Sequence, residues 1–267
     1  MAQQLKRLAV VTGASTGIGY HLAMEFAKNN FDLLVVGRGE KIIEAANAFR
    51  EFGNIVQTAQ IDLAEADGVD RLYSHIKQIS CPVDAIAINA GVGVGGASFD
   101  KTDLDAEINL IKLNVLSSVH LAKLVIKDMV QEGHGRILFT SSIASTAPGP
   151  YEAVYAASKA FIQSFSEALR AEMKDKGITV TALLPGPTET PFFTKAGMED
   201  TKVGAAKKDD PAEVARQGFE ALMAGKDKVV AGSFMNKVQA VASKMMSQPA
   251  AAASHGNMSK PNSPSKR

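Results

Sequence analysis

Short β-branched runs alternate along this chain with longer segments whose apolar residues recur every three or four positions. Leu8 to Thr12 is followed by Gly17 to Asn30, Asp32 to Val36 by Glu40 to Phe52, and Ile55 to Ile61 by Glu65 to Ile79. The alternation continues through Ala85 to Ile88, a long helical stretch containing Asn114 to Val130, Arg136 to Thr140, Ala153 to Lys176 and Thr179 to Leu184. Strand-like runs that are apolar at successive positions must be covered on both faces, and the helices between them supply the cover. The pattern therefore predicts an α/β fold, a doubly wound parallel sheet with helices on both sides. Asp210-Pro211 then opens a helix over Ala212 to Met223, with proline in its first turn, and a short strand near Lys228 to Val230 closes the sheet.

The 267 residues are 46% hydrophobic and 21% charged, enough apolar material for one large core, so residues 1–232 are read as a single domain. Residues 233–247 are read as a C-terminal helix, weakly amphipathic from Phe234 to Met246. Residues 248–267, rich in Ala, Ser, Pro and Lys, are expected to be a disordered tail. A formal net charge of +1 sets up no long-range field to gather nucleic acid, and no nucleic-acid partner is expected. The C-terminal helix and the basic end Lys260 to Arg267 either pack on the body or a partner subunit, or touch a membrane surface. Cys81 is the single cysteine and cannot form an internal disulfide, which fits a reducing, cytoplasmic setting. The apolar run Leu8 to Val11 is too short for a signal-peptide core, and no run of about 18 uncharged apolar residues suggests a membrane span. His21, His75, His120, His134 and His255 lack ligand spacing and partner cysteines, so no metal is expected.

In a doubly wound sheet, ligands bind beyond the carboxyl ends of the strands. The unusual residues fall there: Thr12-Gly13 after the first strand, Asp62 after the third, Asn89-Ala90-Gly91 after the fourth, Ser141-Ser142 after the fifth and Pro185-Gly186 after the sixth. One extended cleft is expected. In the first turn, Gly13, Ser15, Thr16, Gly17, Ile18 and Gly19 join strand to helix, and the glycines let the backbone approach a pyrophosphate whose charge faces the helix N-terminus. The second strand ends at Val36-Gly37-Arg38, without the acidic residue that would receive the ribose hydroxyls of NAD. A guanidinium there can pair with a 2′-phosphate, so Arg38 favours NADP(H) unless it is only a solvated surface residue. Asp62, with Leu63 beside it, either meets the adenine or caps the segment beginning at Ala64.

Tyr155 and Lys159 stand four apart in a helical segment and so share one face. An ammonium within a few ångströms favours the phenolate and lowers the phenol from its reference pKa near 10, which lets Tyr155 exchange a proton with an alcohol or carbonyl. Lys159 can also hold the nicotinamide ribose. Ser142 either donates to a carbonyl oxygen as that oxygen gains charge or is a plain loop serine. Asn114, read as beginning the long helix before the fifth strand, either holds a water near Lys159 through its amide or serves the helix itself. Asn89, Ala90 and Gly91 are placed on the cofactor side of the cleft, and Pro185, Gly186, Thr188 and Thr190 at the nicotinamide carboxamide.

Thr-Gly-x-x-x-Gly-x-Gly at 12–19, Asn-Ala-Gly at 89–91, Asn114, Ser142, Tyr-x-x-x-Lys at 155–159 and Pro-Gly at 185–186 come in an order and spacing that resemble the short-chain dehydrogenase/reductase family, over about residues 5–232. The resemblance implies a Rossmann-type sheet of seven parallel strands and hydride transfer to or from a nicotinamide. It implies Tyr155 as the acid/base, Ser142 as stabiliser of the oxyanion, Lys159 as ribose anchor and pKa depressor, and Asn114 as a proton-relay residue. It also implies a homodimer or homotetramer joined through the helices around Asn114 to Val130 and Ala153 to Lys176.

The expected activity is reversible reduction of a small-molecule ketone or aldehyde with NADPH. The substrate has an apolar body if Phe192 and Phe193, in the segment Glu189 to Asp210, wall a lid rather than pack a surface loop. Reduction of a 3-oxoacyl thioester would use the same residues, although no arginine cluster stands near that segment to hold a phosphorylated carrier. A non-catalytic NADPH-binding sensor is a further alternative, against which the intact set of reacting residues argues.

Overall fold

Period-two alternation within the first strand, β1 (Arg7–Thr12), divides its side chains between two cores. Leu8 and Val10 face one side of the sheet, Ala9 and Val11 the other, and all four are buried. The computed structural model describes residues 7–263. Within it β1 is followed by α1 (Gly17–Lys28), β2 (Phe31–Gly37), α2 (Lys41–Arg50), β3 (Val56–Gln60) and α3 (Gly68–Gln78). Next come β4 (Val83–Ile88), α4 (Leu104–Ile111), α5 (Ser117–Glu132), β5 (Gly135–Thr140), α6 (Ala153–Met173) and β6 (Ile178–Pro185). Two short helices, α7 (Phe192–Lys195) and α8 (Lys202–Ala205), precede α9 (Pro211–Met223), β7 (Lys228–Ala231), α10 (Phe234–Met245) and α11 (Gln248–Ser259).

The seven strands are parallel and ordered β3-β2-β1-β4-β5-β6-β7, a Rossmann-type sheet. The chain winds outward from β1 to β3, returns to lay β4 against β1, and winds outward the other way. Adjacent crossovers therefore leave on opposite faces at β1 and β4, which opens a crevice at their carboxyl ends. On one face Leu22, Phe26, Phe49, Val214 and Leu222 pack from α1, α2 and α9; on the other Leu72, Leu121, Val125, Met129 and Ile162 pack from α3, α5 and α6. Each layer buries the alternate residues of every central strand.

Three sequence expectations change. Leu104–Glu132 is one continuous rod, with a π-helical turn at Lys112–Leu116, so Asn114 lies inside it rather than at its start. That wide turn interrupts the ordinary ladder and holds Asn114 buried. The rod is long and apolar enough to cross a membrane, yet its stripe Leu121, Ala122, Val125, Ile126 and Met129 is packed in the core. α3 begins at Gly68 under Asp67, so Asp62 does not cap it; Asp62 Oδ1 instead accepts from Ala64 N at 2.9 Å in a tight turn.

The expected disordered tail is helical over Gln248–Ser259, because Pro249 opens an alanine-rich turn and Ala251, Gly256 and Ser259 are buried against the body. Residues 264–267 of that tail and 1–6 of the expected domain lie outside the described residues. α9 begins as the sequence suggests, with Asp210 Oδ1 accepting from Ala212 N at 2.9 Å ahead of Pro211.

Phe26 is wholly buried and meets Phe31 and Phe219 edge-on, each at 5.1 Å between ring centroids. Phe26→Ala should cost about 3–5 kcal/mol of unfolding free energy, read as a lower urea midpoint at unchanged slope. A loss below about 1 kcal/mol would mean that this face of the sheet is loosely packed.

Candidate active site

The carboxyl ends of β1, β4 and β5 are stitched together by side chains. Thr12 Oγ1 donates to Ala87 O and accepts from Asn89 N at 2.9 Å and Ala90 N at 3.0 Å. Asn89 returns the contact, its Nδ2 donating to Thr12 O at 3.1 Å while its Oδ1 accepts from Thr140 Oγ1 at 3.0 Å. The glycine turn is pressed onto this frame. Gly13 has φ +69°, and a Cβ on it would lie 2.9 Å from Ala90 Cα; a Cβ on Gly19 would lie 2.2 Å from Gly13 O. Only glycine fits either place, and the turn's backbone is left bare toward the crevice.

One cavity of about 460 Å³ runs along these strand ends. Gly13, Ser15, Thr16, Gly17, Ile18 and Gly19 line it with Arg38, Asp62 and Leu63 at one end, and Asn89, Ala90 and Gly91 along its floor. Pro185, Gly186, Thr188 and Thr190 line the far side, so every residue proposed for the cofactor faces the same space. Arg38 is exposed at the mouth, and Ser15 Oγ sits against Gly37, where a Cβ would approach it to 2.2 Å. Thr188 is buried with its hydroxyl donated to Gly186 O at 2.8 Å, and Thr190 stands against Gly17. Among the described residues no group of three or more His, Cys, Asp or Glu could hold a metal ion.

Ser142, Tyr155 and Lys159 converge at the centre of the cavity. Ser142 accepts from Ala144 N at 3.1 Å at the start of a single 3-10 turn, which directs its hydroxyl to that of Tyr155. One turn of α6 separates Tyr155 from Lys159, and the ammonium lies 5.8 Å from the phenol ring centroid. Both side chains are buried. Lys159 Nζ donates to Thr140 O at 2.9 Å, and Ser141 Oγ holds Lys159 O at 2.9 Å. Asn114 Nδ2 donates to Val92 O and Ser158 Oγ, while its Oδ1 accepts from Val92 N at 2.9 Å. One amide donor thus braces the loop after β4 and the other reaches α6, and one lone pair of Oδ1 remains. A Cβ on Gly91 would lie 3.1 Å from that oxygen and 3.4 Å from Lys159 Nζ, so Asn114 and Lys159 face each other across a bare backbone.

The electrostatics differ from the simple expectation that Lys159 depresses the tyrosine. Burial pushes the Tyr155 phenol well above its ordinary 10.0, the carboxylate of Glu152 adds to the rise, and only the hydrogen bond from Ser142 opposes it. Burial likewise lowers Lys159 to about 8, so the lysine is the more acidic of the two. Desolvation of both groups outweighs their mutual attraction.

Phe192 lies over Tyr155 at 5.1 Å between centroids and, with Phe193 and Met198, walls the substrate end. Glu152, His255 and Ser259, none of them proposed from the sequence, line it as well. Thr140, the acceptor for Lys159, was also missed. Nothing in the spacing of these four residues marks them; Thr140 was legible only as the end of a strand.

Fold and cluster together define an oxidoreductase of the dehydrogenase class. Residues 7–201 match the family model described as short chain dehydrogenase, and the chain belongs to the short-chain dehydrogenase/reductase family. It is 32% identical over 241 residues to dehydrogenase/reductase SDR family member 7B of Rattus norvegicus, covering 85% of this chain and 74% of that protein. To the very-long-chain 3-oxoacyl-CoA reductase of the same species it is 34% identical over 187 residues, 68% of this chain and 59% of that one. A short-chain dehydrogenase from Sphingobium yanoikuyae, solved in complex with NADPH, superposes with a TM-score of 0.78 at 27% identity, over 84% of this chain and 87% of its own.

The lowered Lys159 pKa has a stability consequence. From about pH 8 upward the folded protein has released a proton that the unfolded chain, with lysine at its ordinary 10.5, still binds, so this group makes stability rise with pH across that window. Lys159→Met lacks the buried cation. Its melting temperature should exceed the parent's at neutral pH, with a gap that narrows as pH rises toward about 10. A gap that does not change with pH would show that Lys159 is not titrating in this way.

Proposed function

We propose that the protein is an NADP(H)-dependent carbonyl reductase whose substrate is a ketone or aldehyde with an apolar body. The observation that carries this reading is the continuity of one cavity from the glycine turn and Arg38 to Ser142, Tyr155 and Lys159 beneath Phe192. Gly13 and Ser15 to Gly19 would hold the pyrophosphate, Arg38 the 2′-phosphate, and Asp62 and Leu63 the adenine. Asn89 to Gly91, Tyr155 and Lys159 would hold the nicotinamide ribose, and Pro185, Gly186, Thr188 and Thr190 the carboxamide. Bound there, the nicotinamide supplies the hydride. The cradle that a Cβ at Gly13 or Gly19 would fill fits such a group, and the Sphingobium yanoikuyae relative binds NADPH.

The chain's own residues then manage the proton. Its raised pKa keeps Tyr155 protonated at neutral pH, so the phenol is the donor to the carbonyl oxygen while Ser142 hydrogen-bonds that oxygen as it gains charge. Once the phenol has given up its proton it is the stronger base of the pair, and Lys159, at about 8, is the source that restores it. The remaining lone pair of Asn114 Oδ1 can accept from a water between it and Lys159, which links the pair to solvent. Exposed Ile108, Leu116 and Phe161 mark the surface of α4 to α6 that a homodimer or homotetramer would cover.

Binding of NADPH and NADH, followed by nicotinamide fluorescence, tests the cofactor assignment. Arg38→Ala should weaken NADPH by about tenfold or more and leave NADH within about twofold. Equal loss for both cofactors would remove Arg38 from the 2′-phosphate. Tyr155→Phe should lower kcat for an aryl ketone by about 10²–10⁴-fold at nearly unchanged NADPH affinity. Turnover of a 3-oxoacyl thioester without turnover of any free ketone would move the substrate to the acyl class; tight NADPH binding with no turnover of either would make the protein a sensor.

A further inference from the structure

α11 forms a roof over the substrate end of the cavity, contributing Ala251, Ser254, His255, Met258 and Ser259 to its lining. Its docking relies on small residues. A Cβ on Gly256 would lie 3.3 Å from Pro150, and one on Gly149 would lie 3.3 Å from His255 Nε2, so the helix rests directly on the turn that begins α6. That turn is itself constrained, since Tyr151 has φ +68° without being glycine. At the centre of the contact His255 Nε2 pairs with Glu152 Oε1, which also accepts from Ser259 Oγ at 3.2 Å. Just past the helix, Asn262 N and Ser263 N are bound by Asp200 at 3.0 and 3.2 Å, which ties the roof to the segment carrying Met198.

The alanine-rich helix brings little apolar area to this contact, whereas Glu152 is 7% exposed and needs a partner. The strongest single tie between roof and body is therefore the Glu152–His255 pair. Glu152 is the residue just before α6, so the side chain that receives the roof belongs to the turn that begins the reacting helix.

We propose that α11 is a cover for the substrate end of the cavity and that His255 is its specificity-determining residue: paired with Glu152, it seats the helix and confines the site to an uncharged, apolar carbonyl compound lying beneath Ala251 and Met258. The substrate part of this proposal rests on the carbonyl reductase reading; the cover does not. His255→Leu removes the partner of Glu152, whereas His255→Gln keeps a donor for it. Gly256→Leu crowds the helix against Pro150 while keeping both side chains of the pair.

The test uses the full chain and two readouts. Amide hydrogen exchange followed by mass spectrometry should show residues 248–259 protected in the parent, with protection falling by about tenfold or more in His255→Leu and Gly256→Leu while the sheet amides stay protected. His255→Gln should recover most of it. With NADPH saturating, KM for a bulky aryl ketone should rise by about fivefold or more in the two disruptive variants, with kcat changed far less and NADPH affinity within about twofold. Equal exchange of α11 in parent and both disruptive variants would overturn the cover. Lost protection with unchanged KM would overturn the specificity role. If the parent reduces no ketone, the reductase reading fails on its own, and the exchange experiment still decides whether α11 is fastened by this pair.

Discussion

Thr140 faces two ways at the end of β5, and the site depends on both. Its hydroxyl donates to Asn89 Oδ1, which joins β5 to the β4 end and through Thr12 to β1; its carbonyl accepts from Lys159 Nζ. One residue thus shares the frame that presents the glycine turn with the anchor that holds the reacting cation. The three strand ends cannot shift relative to one another without leaving buried polar groups unpaired, at about 1–3 kcal/mol each. The crevice between β1 and β4 is consequently braced where a cofactor would lie.

Within that frame, burial determines the proton chemistry. Two side chains that would attract each other in the open are each pushed toward neutrality by desolvation, the phenol upward and the ammonium down to about 8. The pair is held in place by surrounding groups rather than by its own attraction: Ser142 on the phenol, Thr140 O on the ammonium, and Asn114 bracing Val92 behind both. The π-helical turn at Lys112–Leu116 is what turns Asn114 inward at the right height. Such a cluster is costly to bury, and the two well-packed layers on either face of the sheet supply the stability that permits it.

The substrate end has a different construction. Its walls come from chain segments that follow β6 and β7, namely α7, the Met198 region and α11; Glu152 ties α11 to the turn before α6, and Asp200 ties its end to the Met198 region. Hydrogen bonds at single points hold a surface without fixing a core. This divides the molecule into an inner part whose geometry is fixed by many contacts and an outer part held by few.

Residue patterns local to the chain were enough to establish the alternating α/β architecture, the glycine turn, the absence of an acidic residue after β2 and the shared helical face of Tyr155 and Lys159, because each depends on neighbours within a few positions. The placement of the Asn, Ser and Pro-Gly clusters at one end of the sheet followed too, since every parallel strand ends on the same side. Tertiary packing decided the rest. Asn114 became a brace inside a helix because a wide turn faced it to Val92, and Tyr155 lost rather than gained acidity because burial outweighed a nearby ammonium. The last segment looked structureless by composition, yet it is a helix over the cavity because His255 meets a carboxylate 103 positions earlier in the chain. Contacts between residues so far apart leave no periodicity in the sequence, and only the folded chain brings them together.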